Sequence, residues 1–303
     1  MIKQALEKDK TQLYQLWQNS FSVKSNETLN SFFNIGLQEG KTILCEMDEK
    51  TVATVFMHDM DLQFHGKCLK SVFLSHVATH PDYRKSDALD NTLKSVLDEC
   101  EKKTLFTFVE ATSYKFWENY GFQEAIIHRH YELNGRHFEN VSSKDVREQA
   151  NPEEMKEVYD TFMKHFDGYK CRSVRDFEIL IQESHANMDR IFMIHHLGKP
   201  KGYIIFHVDN NQVRVKEIMY LGSNALLKLC KAALAQHDLI LLELSEAEHI
   251  EKLFPLAIPR KRVAYMVRCN NFPLFNKLYN CKVKTSKDAY ALSKKPKYLN
   301  EKY

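Results

Sequence analysis

The stretch Ser71-Val72-Phe73-Leu74-Ser75-His76-Val77-Ala78-Thr79-His80-Pro81 runs on through Asp82-Tyr83-Arg84-Lys85-Ser86-Asp87-Ala88-Leu89. Its first nine residues are mostly apolar and read as a strand, which the His80-Pro81 pair ends because proline cannot donate to a sheet. Then the period changes. Leu89, Leu93, Val96, Leu97 and Cys100 fall on one face of a helix. Asp87 stands where an N-cap is expected. A strand that turns directly into an amphipathic helix is half of a strand–helix–strand unit. The apolar run Leu105–Val109 supplies the second strand.

Working outward, residues 2–6 read as a short strand. Leu13, Leu16, Trp17 and Phe21 share a helical face after Asp9, and a second helix is expected over 26–37, stopping near Gly40. Residues 42–46 and 52–60 read as paired strands around a polar turn, with a second turn at His65-Gly66-Lys67. Downstream, Tyr114–Tyr120 fits a short helix closed by Gly121, and 122–133 reads as a long strand. Mixed order of this kind predicts an α/β (α+β) fold with a largely antiparallel sheet flanked by helices. The plan repeats in outline after Asn134-Gly135-Arg136: a helix over 152–165, strands at 191–196, 202–208 and 213–220, a helix over 225–235 and a strand at 239–244. The expected domains are 1–135, 136–262 and a C-terminal strand with a Lys-rich tail over 263–303.

The bulk numbers fit this reading. Hydrophobic residues make up 44% of the 303 residues and charged residues 27%, a globular composition. A net charge of +3 lacks the basic excess of a nucleic-acid binder. No apolar run approaches the length of a membrane span or a signal peptide. The seven cysteines are odd in number, widely spaced and without a Cys-x-x-Cys pair, as in a reduced cytoplasmic protein. His195 and His196 point to opposite faces of a strand, while His128 and His130 share a face without a carboxylate or cysteine near them in sequence, so no metal is expected.

Three segments resemble the GNAT N-acetyltransferase superfamily: the strand and loop 77–84, the helix 89–103 behind them, and Phe116-Trp117-Glu118-Asn119-Tyr120-Gly121-Phe122, an aromatic pair followed by Gly-Phe. The tandem layout is similar to the enhanced-intracellular-survival family of acetyltransferases. The resemblance implies an acetyl-CoA-dependent N-acetyltransferase domain at the N-terminus and a degenerate GNAT-like second domain, which carries no glycine loop after its strand 213–220. Backbone amides at a helix N-terminus bind the CoA pyrophosphate in such domains. On that reading Val77, Ala78 and Thr79 line the pantetheine arm and polarise the thioester carbonyl. Arg84, Lys85, Ser86, Asp87, Ala88 and Leu89 form the phosphate loop, with Trp117 against the coenzyme.

The match departs from the family where it matters for catalysis. The glycine positions of the Arg/Gln-x-x-Gly-x-Gly/Ala loop are Asp87 and Leu89, and Asp87 could cap its own helix on the amides a phosphate needs. The tyrosine that protonates the leaving thiolate falls at Trp117, whose indole is no practical general acid. Tyr120 is the nearest substitute. Glu110, after the strand 105–109, is the preferred carboxylate for orienting the amine. The resembling family uses its C-terminal carboxylate as base, which points to Tyr303. A histidine at 76 or 80 has the pKa to be a base, although the residues alone favour an ordinary hydrogen-bonded histidine. Asp59 and Asp61 read equally as amine-facing acids or a solvated hairpin edge. Two functions stay open: acetyl transfer from acetyl-CoA to a primary amine of a small molecule, or a catalytically impaired pseudo-acetyltransferase acting as a binding or scaffold protein. The resembling family forms rings, so a homo-oligomer is an allowed assembly; neither nucleic acid nor membrane is an expected partner.

Overall fold

The computed structural model describes residues 1–21, 26–235 and 237–301. The chain divides into two compact units. Unit 1 holds residues 1–125 and 265–293; unit 2 holds 126–264 and 294–302. The division is therefore discontinuous, where the linear reading expected breaks at 135 and 262.

In unit 1, β1 (Ile2–Gln4), α1 (Lys10–Ser20) and α2 (Asn26–Asn34) precede a meander of β2 (Gly40–Met47), β3 (Lys50–Phe64) and β4 (Lys67–Thr79). Then come α3 (Ala88–Lys103), β5 (Phe106–Glu110) and α4 (Tyr114–Glu118). The neighbouring strands run β1-β2-β3-β4-β5, antiparallel except for the parallel β4–β5 pair. Residues 51–58 of β3 are all buried, as a central strand covered on both faces must be. Leu13, Leu16 and Trp17 of α1 and Leu29 of α2 pack with Leu44, Phe56 and Ala78. The stripe read in the sequence of α3 is buried: Leu93, Val96, Leu97 and Cys100. Gly121, at φ +81°, follows α4 in the left-handed region that glycine enters without steric cost.

In unit 2, β6 (Gln123–Leu133), β7 (Val146–Glu148), α5 (Pro152–Met163), β8 (Tyr169–Lys170) and α6 (Val174–Ala186) lead into a second meander. It comprises β9 (Arg190–His196), β10 (Lys199–Asp209) and β11 (Gln212–Tyr220), followed by α7 (Ser223–Leu234) and β12 (Leu239–Ser245). Here too the meander is antiparallel, and β12 returns parallel to β11. The hairpin turn is Leu197-Gly198, so β10 starts at Lys199, ahead of the strand expected over 202–208.

The C-terminal stretch is more ordered than its lysines suggest. After β13 (Arg260–Cys269), α8 (Phe272–Tyr279) and α9 (Ser286–Ala291) belong to unit 1. Residues Tyr265–Cys269 extend its sheet antiparallel to β5, and Phe275 and Tyr290 meet Phe64 and Phe106. Of the cysteines, all free, four are buried, but Cys68 is exposed. Among the described residues no helix is long and apolar enough to cross a membrane.

Candidate active site

The parallel pair β4–β5 is in register from Ser71↔Phe106 to Leu74↔Val109 and stops there. Beyond that point β4 continues against β3 alone, while β5 continues against β13 through Glu110↔Tyr265. The two strands thus diverge in the middle of the sheet. The amide of His80 donates to the carbonyl of Val52 at 2.8 Å. Because backbone groups alternate between the two edges of a strand, those of Val77 and Thr79 face the opposite edge, into the opening. Ala78 is buried, and Val77 and Thr79 are half-buried.

One irregularity sits at the mouth of the opening. Phe56↔Ser75 and Thr54↔Ala78 are partners, so His76 and Val77 together oppose Val55. This is a β-bulge, and His76 adopts φ +47° in it. Thr54 Oγ1 donates to the His76 carbonyl at 3.2 Å, and Trp17 Nε1 donates to Thr54 Oγ1 at 2.9 Å. The imidazole stacks on Phe32 with centroids 4.0 Å apart. Burial pushes its pKa down to about 4, so it is neutral at physiological pH.

From the opening, the chain turns through Pro81–Tyr83 into α3. Arg84, Lys85, Ser86 and Asp87 are exposed, Ala88 is buried and Leu89 half-buried. Asp87 occupies the N-cap position but makes no capping hydrogen bond with its side chain. Instead Ser86 Oγ accepts from the Ala88 amide at 3.4 Å and donates to the Tyr83 carbonyl at 2.7 Å. Among the described residues no side chain takes the amides of Leu89 and Asp90. The helix end is therefore open to an anion despite lacking the two glycines.

The remaining expected site residues are dispersed. Trp117 is 5% exposed and packs edge-on against Phe116 and Phe122, which makes it a core residue. Glu110 is exposed at the end of β5, beside the opening. The C-terminal carboxylate of Tyr303 lies outside the described residues. Tyr120 donates its hydroxyl to Asp90 Oδ1 at 3.0 Å, in the first turn of α3, and Asp90 is also paired with Lys94 at 2.6 Å. Burial and then the Asp90 bond raise the Tyr120 pKa to about 12. Its proton is already shared, and its position is that of a clamp between α3 and the α4 corner. Replacing Tyr120 by Phe should cost about 1 kcal/mol of stability and leave thiol release from acetyl-CoA within a few-fold of wild type. A fall of about 10²-fold or more, the size of a general-acid contribution, would instead make Tyr120 the acid.

A groove of about 1100 Å³ runs along another side of α3, lined by Met1, Ile2, Cys45, Asp87, Asn91 and Lys94 among others. None of its lining residues belongs to β4 or β5, so it is distinct from the strand opening. In unit 2, Glu243 hydrogen-bonds His128 Nδ1 at 2.9 Å and lies 3.7 Å from His130 Nε2. The carboxylate missing around these histidines in the linear sequence thus arrives across the sheet. Among the described residues no group of three or more such side chains is arranged to hold a metal ion.

The family model of the acetyltransferase (GNAT) domain matches residues 1–125. That match marks a GNAT acetyltransferase domain at the start of the chain. No curated protein matches the sequence. A probable N-acyltransferase from Enterococcus faecalis V583 superposes with a TM-score of 0.77 at 17% identity, covering 89% of this chain and 72% of that one. A GCN5-related N-acetyltransferase from Kribbella flavida gives 0.73 at 10% identity, covering 89% and 70%. Eis1 from Mycobacterium abscessus gives 0.65 at 11% identity, covering 89% and 73%. At such identities the likeness is one of fold. It extends well past the GNAT domain of unit 1 and bears out the tandem α/β architecture.

Unit 2 repeats the strand opening but fills it. Its parallel pair runs only from Gln212↔Leu239 to Arg214↔Leu241. Past that point Tyr220 of β11 donates to Glu248, just after β12, at 2.7 Å. Arg172 holds Glu217 of β11 together with Glu301. The Tyr298 hydroxyl lies 3.9 Å from Met219 Sδ, and His128 Nε2 is 3.2 Å from the Leu299 carbonyl oxygen. The segment around 298–301 therefore meets β11 and, through His128, β6, the strand that pairs with β12.

Proposed function

We propose that unit 1 transfers the acetyl group of acetyl-CoA to a primary amine of a small molecule. The observation that carries this reading is the divergence of β4 from β5 after Leu74, continued into α3, where among the described residues no side chain takes the amides of Leu89 and Asp90. GNAT domains use acetyl-CoA. In this one the pantetheine arm would run along the Val77 and Thr79 edge, and the pyrophosphate would meet the α3 amides with Arg84 and Lys85 beside it. Helix-end partial charge and these cations offset the carboxylate of Asp87. The acceptor amine, bound deprotonated, attacks the carbonyl carbon directly, positioned by the walls of the opening. Unit 2, with its own opening filled, is read as a non-binding partner of the fold.

Titration calorimetry with acetyl-CoA, paired with a thiol-release assay over a panel of primary amines, tests the proposal. One coenzyme per chain and amine-dependent release are expected. Absence of both heat and thermal stabilisation at millimolar coenzyme would end it. Binding without release for any amine would favour the second reading, a coenzyme-binding scaffold. That reading has its own support in Asp87 and Leu89 at the glycine positions and in Trp117 buried where the family places its acid.

A further inference from the structure

Three side chains at the mouth of the β4–β5 opening form a hydrogen-bonded row that the proposed function leaves unused. His76 Nδ1 lies 2.9 Å from Ser75 Oγ, and Ser75 Oγ lies 2.8 Å from Nε2 of His58, which is 3% exposed. Ser75 is the first β4 residue past the last pair shared with β5. His76 Nε2 makes no hydrogen bond to any described residue.

We infer that His76 Nε2 is the base that takes the proton of the acceptor amine, with Ser75 and His58 as the positioning residues that keep its lone pair available. The inference rests on the acetyl-transfer reading of unit 1. The serine hydroxyl has one proton to place between two ring nitrogens. If Nδ1–H of His76 donates to Ser75 Oγ, the hydroxyl donates onward to His58 Nε2, and His76 Nε2 is left unprotonated. The same row then stabilises the imidazolium once Nε2 has taken a proton. Nucleophile-and-base sites commonly use a third group to orient the base in this way. The backbone supports the assignment. A non-glycine residue at φ +47° costs conformational energy, and here Thr54, Trp17 and Phe32 hold it in place, so the strain is maintained by neighbours at the point where the strands part.

The step balances within acetyl-CoA and the amine. The nitrogen lone pair forms the new C–N bond, one N–H proton passes to His76 Nε2, and the C–S bond breaks with its electron pair on sulfur. The imidazolium then returns that proton to the thiolate through solvent. Because burial disfavours the charged ring, the proton is readily given up.

The test is steady-state kinetics on full-length protein with acetyl-CoA and the best amine of the panel. His76→Asn keeps a residue that tolerates positive φ but removes the base. Its kcat should fall about 10²-fold or more, the range of general-base contributions, while calorimetric affinity for acetyl-CoA is retained. His76→Gly should lose as much and regain part of it in added imidazole. Ser75→Ala should lower kcat without raising KM for the amine. Wild-type kcat in His76→Asn overturns the inference and leaves acetyl transfer standing. Loss of kcat that imidazole does not rescue in His76→Gly assigns the histidine to structure and also overturns it. A wild-type protein that neither binds nor turns over acetyl-CoA overturns both readings together.

Discussion

Replacing Arg172 by methionine is expected to destabilise unit 2 by about 3–5 kcal/mol, the cost of leaving buried charges without their partner. Arg172 is 8% exposed, and Glu217 and Glu301 are each 6% exposed. The guanidinium donates to Glu217 through two parallel bonds of 2.8 and 2.9 Å, and to Glu301 Oε1 at 2.9 and 3.2 Å. Tyr203 donates its hydroxyl to Glu217 at 2.6 Å, and the Tyr159 ring stacks on the guanidinium with its centroid 4.7 Å away. Methionine fills similar space on Tyr159 but removes the guanidinium donors from two carboxylates that water scarcely reaches, leaving Glu217 with the Tyr203 hydroxyl and Glu301 with Lys170 at 3.9 Å. The variant should unfold at lower urea concentration, and amide exchange in β10 and β11 should accelerate, with residues 296–301 losing protection first because Glu301 is their anchor. The triple variant Arg172→Met, Glu217→Gln, Glu301→Gln should recover much of the loss, since it removes the orphaned charges as well. A single-variant loss below about 1 kcal/mol, the range of an exposed pair, would refute the assignment of this cluster as a buried lock.

That lock shows where sequence reading stops. Arg172, Glu217 and Glu301 lie 45 and 129 residues apart, and no local pattern links them. What was legible is what is local: the α3 stripe from Leu93 to Cys100, the breaker at Gly121, and the strand-to-helix corner at 77–89 that carries the candidate site. The α/β tandem plan followed from those periods. Two helices in the C-terminal stretch were not legible. Phe275, Ala289 and Tyr290 are buried, but the lysines between them mask any apolar stripe, and the surface they meet comes from Phe64 and Phe106, far back in the chain. The helix Val174–Ala186 lies outside the expected elements, although Ser173 and Asp176 form a capping box at its start. At the site, His76 could be named from its place on the strand. Its left-handed conformation and its link through Ser75 to His58 depend on one extra residue in the β3–β4 register, and only the fold discloses that. Asp87 read as a cap on charge and position; the structure gives that bond to Ser86, whose shorter side chain is held by Tyr83.

The second large effect is a pH dependence seated in unit 2. Glu248 is pushed up from an ordinary 4.5 to about 7 by burial, which outweighs the bonds it accepts from the Tyr220 hydroxyl and, at 2.8 Å, from the Ser245 amide. Its folded pKa is above its unfolded one, so between these values the native state binds more protons and stability must fall as pH rises. The contribution is complete below pH 4.5 and is lost as pH climbs through 7. A shift of this size corresponds to about 3 kcal/mol at most. His76 in unit 1 has the opposite sign: its pKa is lowered from 6.5 to about 4 by burial, so its stability is present above 6.5 and falls as pH drops toward 4. The two are separated by comparing wild type with Glu248→Gln. The amide has the same shape, can accept from Tyr220 and Ser245, and cannot ionise. Urea midpoints of the two proteins should coincide near pH 4.5 and diverge steadily above it, with the variant the more stable by pH 8. Two curves that stay parallel across that range would mean that Glu248 reaches solvent in the native state, and that the bond from Tyr220 does not close the second opening.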